Sequence, residues 1–121
     1  MNTLFLVNMI IESIFALGFI SVPGLMLGQF GVVLNETATV FARLFGSALL
    51  SFPVLLWYGR RSDRTEFKKG VVRGLFMYYL VSTPILLLTQ TAGLMNPKGW
   101  IIVVLHLVFL VWFGLYAFKK D

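Results

Sequence analysis

Long apolar runs alternate with short segments rich in charge or in helix breakers. A helix that crosses a bilayer needs about 20 mostly apolar residues. Four stretches meet that requirement, at about 3–22, 37–58, 71–92 and 99–118. At that length they take up about two thirds of the chain, which leaves no room for a separate soluble domain. The pattern predicts one all-α membrane domain over 1–121, with four transmembrane helices in an up-down-up-down bundle. Pro23-Gly24 ends the first run, and Asn96-Pro97 separates the third from the fourth. The segment Met26 to Glu36 is longer and half apolar, so it is predicted as an interfacial turn or short helix lying on the membrane surface. Asn35 or Thr37 is placed to cap the second helix. Asp63-x-x-Glu66 can cap the third and extend it beyond the membrane.

Composition narrows the class further. Of 121 residues, 59% are apolar and 12% charged, far from the roughly 45–50% and 25% of soluble domains. A soluble enzyme and a disordered chain are both excluded. With no cysteine, a disulfide scaffold and a thiolate metal site are impossible.

Charge gives an orientation. Arg60, Arg61, Arg64, Lys68, Lys69 and Arg73 cluster around the second connection, and Lys119 and Lys120 follow the fourth run. An even number of spans puts these eight on one side, against Lys98 on the other. The positive-inside rule then makes both termini cytoplasmic. The first run holds Glu12, lacks a basic start and precedes no clear cleavage site, so it reads as a retained helix rather than a signal peptide. Trp57, Tyr58, Tyr116 and Trp100 fall where an interfacial aromatic belt is expected. The basic connection has one aromatic residue, Phe67, and abuts two spans. It reads as topology-setting charge with attraction for anionic lipid, not as a nucleic-acid surface.

Ionisable groups within the runs are the feature that asks for a functional explanation, because a central charge costs about 2.5–3.5 kcal/mol on insertion scales. These groups are Glu12, Arg43 and His106. Glu12 lies about 14 Å from the inner end of its helix and Arg43 about 22 Å, a gap of about 8 Å along the normal. Arginine can snorkel over that distance, so a Glu12–Arg43 pair is expected between adjacent helices; outward snorkelling of Arg43 is the alternative. Asn8 shares a face with Glu12, while Arg43, Ser47 and Ser51 form a second stripe and Tyr79, Thr83 and Gln90 a third. The cluster Glu12, Arg43, His106, Asn8, Ser47, Tyr79 and Gln90 is a structural register device, the lining of a polar cavity, or a charge that reaches a partner subunit. Small residues at Ala38, Ala42 and Gly46, and at Gly70 and Gly74, offer close helix approach. Ile102, Phe109 and Phe113 suit a lipid, a pigment or a neighbouring helix equally. His106 alone builds no zinc site, although axial ligation of a haem or pigment stays open. A Ser47–His106–Glu12 triad lacks any nucleophile elbow or oxyanion hole, and no catalytic motif occurs.

Phe30-Gly31-Val32, Ala42-Arg43-Leu44-Phe45-Gly46-Ser47, Trp57-Tyr58 and Asn96-Pro97-Lys98-Gly99-Trp100 together resemble a family of small bacterial four-helix membrane proteins of unknown function. The resemblance implies four helices with cytoplasmic ends and a recurrent ARLFG-like turn around Arg43. It implies no activity, and Glu12 is not part of its pattern. The chain is also similar in length, span number and first-span Glu to small multidrug resistance transporters. It departs from them in carrying Arg43 and in its strong charge bias, which forbids an antiparallel dimer.

These readings lead to a non-enzymatic accessory or assembly subunit, or a lipid-contacting bundle, of a larger membrane complex, expected in a bacterial cytoplasmic (inner) membrane. Expected partners are membrane lipid and protein subunits or further copies of the chain, with no nucleic acid and no catalytic or metal residues. The alternative is a proton-coupled small-molecule transporter using Glu12.

Overall fold

The computed structural model describes residues 1–120. They form six helical segments: α1 (Asn2–Ser21), α2 (Pro23–Gly28), α3 (Glu36–Leu49), α4 (Ser51–Arg61), α5 (Thr65–Thr91) and α6 (Gly99–Ala117). Because α3 and α4 run on as one 26-residue rod, four helices are long and apolar enough to cross a membrane. The shortest, with 19 residues, spans about 28 Å, close to a hydrocarbon core.

Local chemistry explains each break. Val22 leaves the helical region, at φ −138° and ψ 59°, and Pro23 starts α2 at a position where its missing N–H costs nothing. A short helix does precede the second span, but it starts earlier than expected, at Pro23, and is followed by a turn and an irregular stretch to Asn35. Asn35 caps α3, its Oδ1 accepting from the Ala38 N–H at 2.7 Å. The α3–α4 break at Leu50 sits three residues before Pro53, whose ring crowds the Leu49 carbonyl. The third helix starts at Thr65, six residues before the apolar run does. Its cap is Arg64 without a side-chain bond, so Asp63 does not play the expected capping part.

Two connections share one closing device. After α5, Gly93 at φ 75° lets its own N–H reach Gln90 O at 3.1 Å and the Leu94 N–H reach Thr89 O at 3.2 Å. After α2, Gly31 at φ 76° supports the same pair of bonds, Gly31 to Gly28 and Val32 to Leu27. This is the Schellman ending, which needs a left-handed residue. Asn96 ties these connections together. Its N–H donates to Phe30 O (2.8 Å), its amide to Gln29 O (2.9 Å), and its own carbonyl accepts from Gln90. Far along the chain from those turns, Lys68 Nζ lies 3.5 Å from Asn2 Oδ1.

Packing is uneven. α1 lies against α3 and α4, α5 lies against α6 and α4, and α1 meets α6 only lightly. The backbones of α1 and α5 do not approach one another, so these two stand diagonally across the bundle. α3 approaches neither α5 nor α6. The core accordingly gathers where α4, the first turns of α1 and α5 and the last turns of α6 converge. Its residues include Leu4, Phe5, Leu56, Val72, Leu75 and Phe113. Phe109 and Phe113 are thus interior residues, not a face offered to lipid. Elsewhere the exterior is apolar, and only 22–28% of each span's apolar window is buried, as a lipid-facing surface requires.

The two glycine rows behave differently. A Cβ on Gly46 would stand 2.8 Å from Phe19 Cβ and 2.9 Å from the Ala16 carbonyl, so Gly46 is where α3 touches α1. Gly70 and Gly74 have nothing within 4 Å, so the expected seam on α5 does not form. Gly46→Ala should therefore lower stability by about 1–3 kcal/mol through overpacking. Gly74→Ala should leave it unchanged or raise it by about 0.5–1 kcal/mol. Thermal unfolding of the two variants in one mild detergent separates these cases, and equal losses would contradict the assigned contacts.

Candidate functional site

The buried residues of α1 are Leu4, Phe5, Asn8, Glu12 and Ala16. Leu4, Asn8, Glu12 and Ala16 recur every four residues, with Phe5 beside Leu4, and form one stripe directed at the bundle interior. On α5 the matching stripe is Leu75, Tyr79 and Thr83. The Tyr79 side chain crosses the diagonal between them. Its hydroxyl donates to Glu12 Oε1 and accepts from Asn8 Nδ2 at 2.6 Å. A phenol has one proton, so donation to Glu12 obliges Asn8 to present its NH₂ group. Glu12 is 5% exposed, Tyr79 1% and Asn8 not at all. Thr83 satisfies itself by donating to Tyr79 O.

Aromatic packing fixes the phenol. Tyr79 stacks on Phe113 at 5.7 Å and on Phe109 at 5.4 Å, and meets the His106 ring edge-to-face at 5.3 Å. His106 Nδ1 lies 2.9 Å from Ile102 O. A carbonyl only accepts, so Nδ1 carries the proton and a neutral ring keeps its lone pair on Nε2.

Beside this group lies a cavity of about 300 Å³, at the small end of ligand-site volumes. Glu12, Tyr78, Tyr79, Ser82 and His106 line it together with residues such as Phe15, Leu49, Ile102 and Leu105. Leu27 and Met95 border it near the joined connections. Phe45 on α3 and Ile85 on α5, 43% and 58% exposed, also line it. The cavity therefore reaches the outer surface of the bundle in the gap that α3 leaves beside α5. Its surface is almost wholly apolar, and the carboxylate of Glu12, the imidazole of His106 and the hydroxyls of Ser82 and Tyr78 belong to residues that line it without presenting much polar surface.

Four of the seven sequence-picked residues come together: Asn8, Glu12, Tyr79 and His106. Three lie apart. Arg43 and Ser47 are exposed, so the expected Glu12–Arg43 pair does not form and Glu12 is partnered by Tyr79 instead. The second stripe can face outward because its hydroxyls need no interior partner. Ser47 Oγ donates to Arg43 O and Ser51 Oγ to Ala48 O, both within the continuous α3–α4 rod. The imagined Ser47–His106–Glu12 triad is excluded by the same placement. Gln90 is buried but belongs to the joined connections, donating to Asn96 O at 3.1 Å. Ser82, Phe45 and Ile85 were missed. Ser82 is one turn from Tyr79, and extending that stripe would have found it; the other two look like any lipid-facing residue in sequence.

Among the described residues no group of three His, Cys, Asp or Glu could hold a metal ion. A single imidazole packed on Tyr78 and Tyr79 does not make a metal centre by itself. Comparison with family models, curated proteins and solved structures returns no match to this chain. The site is therefore read from its own geometry.

Tyr79→Phe strands two buried polar groups at once and should cost about 1–3 kcal/mol. In a double-mutant cycle, Tyr79→Phe and Glu12→Leu should couple by about 1 kcal/mol. Glu12→Leu and Arg43→Gln should add within about 0.5 kcal/mol. Coupling of the second pair and not the first, in thermal or denaturant unfolding, would reverse the assignment of Glu12's partner.

Proposed function

We propose that the chain is a non-enzymatic integral membrane bundle that receives a small apolar or amphipathic membrane molecule sideways. Its broad apolar exterior would serve lipid contact or the helices of a larger complex, as an accessory subunit does. The cavity of about 300 Å³ carries this reading: an almost wholly apolar surface, with Glu12 and His106 among its lining residues and exposed Phe45 and Ile85 at its edge. A lipid-soluble molecule can enter such a site without crossing water.

We read the topology as up-down-up-down, with both termini and the basic connection in the cytoplasm and the membrane as the bacterial cytoplasmic membrane. The charge bias supports this, as do two contacts. Lys68 lies beside Asn2 at one end, and Asn96 reaches Gln29 and Phe30 at the other. The chain has no cysteine, so single introduced ones report cleanly. Ser62→Cys should react with a membrane-impermeant maleimide only in inverted vesicles, and Leu94→Cys only in intact cells. The reverse pattern would overturn the orientation.

A solvatochromic uncharged naphthalene dye tests the cavity. In lipid nanodiscs holding the protein it should bind saturably, at one site per bundle, with blue-shifted emission. Ile102→Trp, which fills the cavity, should abolish that component. Signal no different from protein-free discs would reject the reading.

One observation favours proton-coupled transport as a second reading. Glu12 lines the cavity, and its hydrogen-bond partner is a phenol rather than the arginine that would hold it ionised. On this reading Glu12→Gln abolishes proton-coupled uptake at unchanged expression. Equal uptake by the variant disposes of transport and leaves the binding reading standing.

A further inference from the structure

A second, separate cavity of about 290 Å³ lies where α1 begins and α4 ends, lined by Asn2, Trp57, Arg60 and Arg61. Its surroundings are strongly cationic. Lys68 Nζ approaches Asn2, and Lys68 and Lys119 both lie close to Met1. Arg61 is held in place by its guanidinium, 4.3 Å above the Trp57 ring. Arg60 Nε is buried and has no hydrogen-bond acceptor.

A helix C-terminus attracts cations, and this accounts for two arginines at the end of α4. It does not account for a buried guanidinium nitrogen without an acceptor, which is costly to leave unmade. Asp63 and Glu66 are near in sequence. Among the described residues, however, neither forms an ion pair with Arg60, Arg61 or Lys68. The cavity is lined by the half-buried Arg60, the exposed Arg61 and the Asn2 amide, with an indole as one wall and no carboxylate closing it, while Arg60 Nε itself lies beneath its surface. Planar guanidinium forks match a tetrahedral oxyanion with several acceptor oxygens. Trp57 is also of a residue type enriched at the membrane–water interface.

We propose that this cavity is a binding site for the phosphate group of an anionic phospholipid, gripped by Arg60 and Arg61 with its glycerol against Trp57. The site is independent of the cavity at Glu12 and of whatever occupies that one. A free phosphate ester shares the chemistry, and the experiment separates the two sources.

The full chain is reconstituted into nanodiscs of phosphatidylcholine with a minority of phosphatidylglycerol. Lipids retained after gentle release are counted by native mass spectrometry. The wild type should keep phosphatidylglycerol in excess over its share of the disc. The Arg60→Gln/Arg61→Gln variant should lose more than tenfold in that enrichment, since each interfacial cation contributes roughly fivefold. Arg64→Gln/Lys120→Gln removes the same charge outside the cavity and should keep the enrichment. Arg60→Lys retains charge without the fork and should fall between. Circular dichroism and a single elution peak establish that each variant is folded. Equal loss in both double variants would mean diffuse attraction to a basic surface and would overturn the site. Saturable heat on titrating inorganic phosphate into pure phosphatidylcholine discs, with no phosphatidylglycerol enrichment, would overturn the lipid assignment in favour of a soluble phosphate.

Discussion

A carboxylate inside an apolar bundle has to find hydrogen-bond donors from within, and here one phenol supplies the bond. Tyr79 donates to Glu12, accepts from Asn8 and rests on Phe109 and Phe113. The backbones of α1 and α5 do not approach each other, so this side-chain bridge couples two diagonal helices that backbone packing leaves apart. Water is not available in a bilayer core to take over a lost bond. The geometry of α1, α5 and α6 around the bundle axis therefore depends on keeping this triad intact.

The two halves of the bundle follow from one proline. Before Pro53, α3 runs along α1 and touches the short α2; after it, α4 packs on α5 as well as α1 and the core closes around Leu56, Val72 and Phe113. The dense half carries eight of the ten Lys and Arg residues and the second cavity. The open half carries Glu12's cavity, with Asn96 stitching the connections beyond it. Gly46 sharpens the asymmetry, because its close contact with Ala16 and Phe19 commits α3 to α1.

The four long helices were legible in the sequence because twenty apolar residues in a row leave few alternatives. Asn8, Glu12 and Tyr79 were legible as polar positions on helical faces. Which of them would meet was not, because helix spacing gives depth but not rotation or neighbours. Arg43 shows the difference. Depth alone paired it with Glu12, yet it sits on the outward side of α3, and the serines of its stripe are satisfied by their own helix. Phe109 and Phe113 show the converse: in a segment apolar all round, nothing in the sequence marks the buried face. The cavity itself depends on the absence of contact between α3 and α5, and no local pattern encodes that.

The sideways opening at Phe45 and Ile85 changes what counts as concentration. A molecule reaching Glu12 by that route must dissolve in the bilayer first, so occupancy follows its mole fraction among lipids rather than its amount in water. Under the proposed binding role, partitioning would be the first step of selection and fit to the apolar walls the second. Compounds with equal affinity for the site would then be ranked by how readily they enter the membrane, and the search for the bundle would be a diffusion problem in two dimensions.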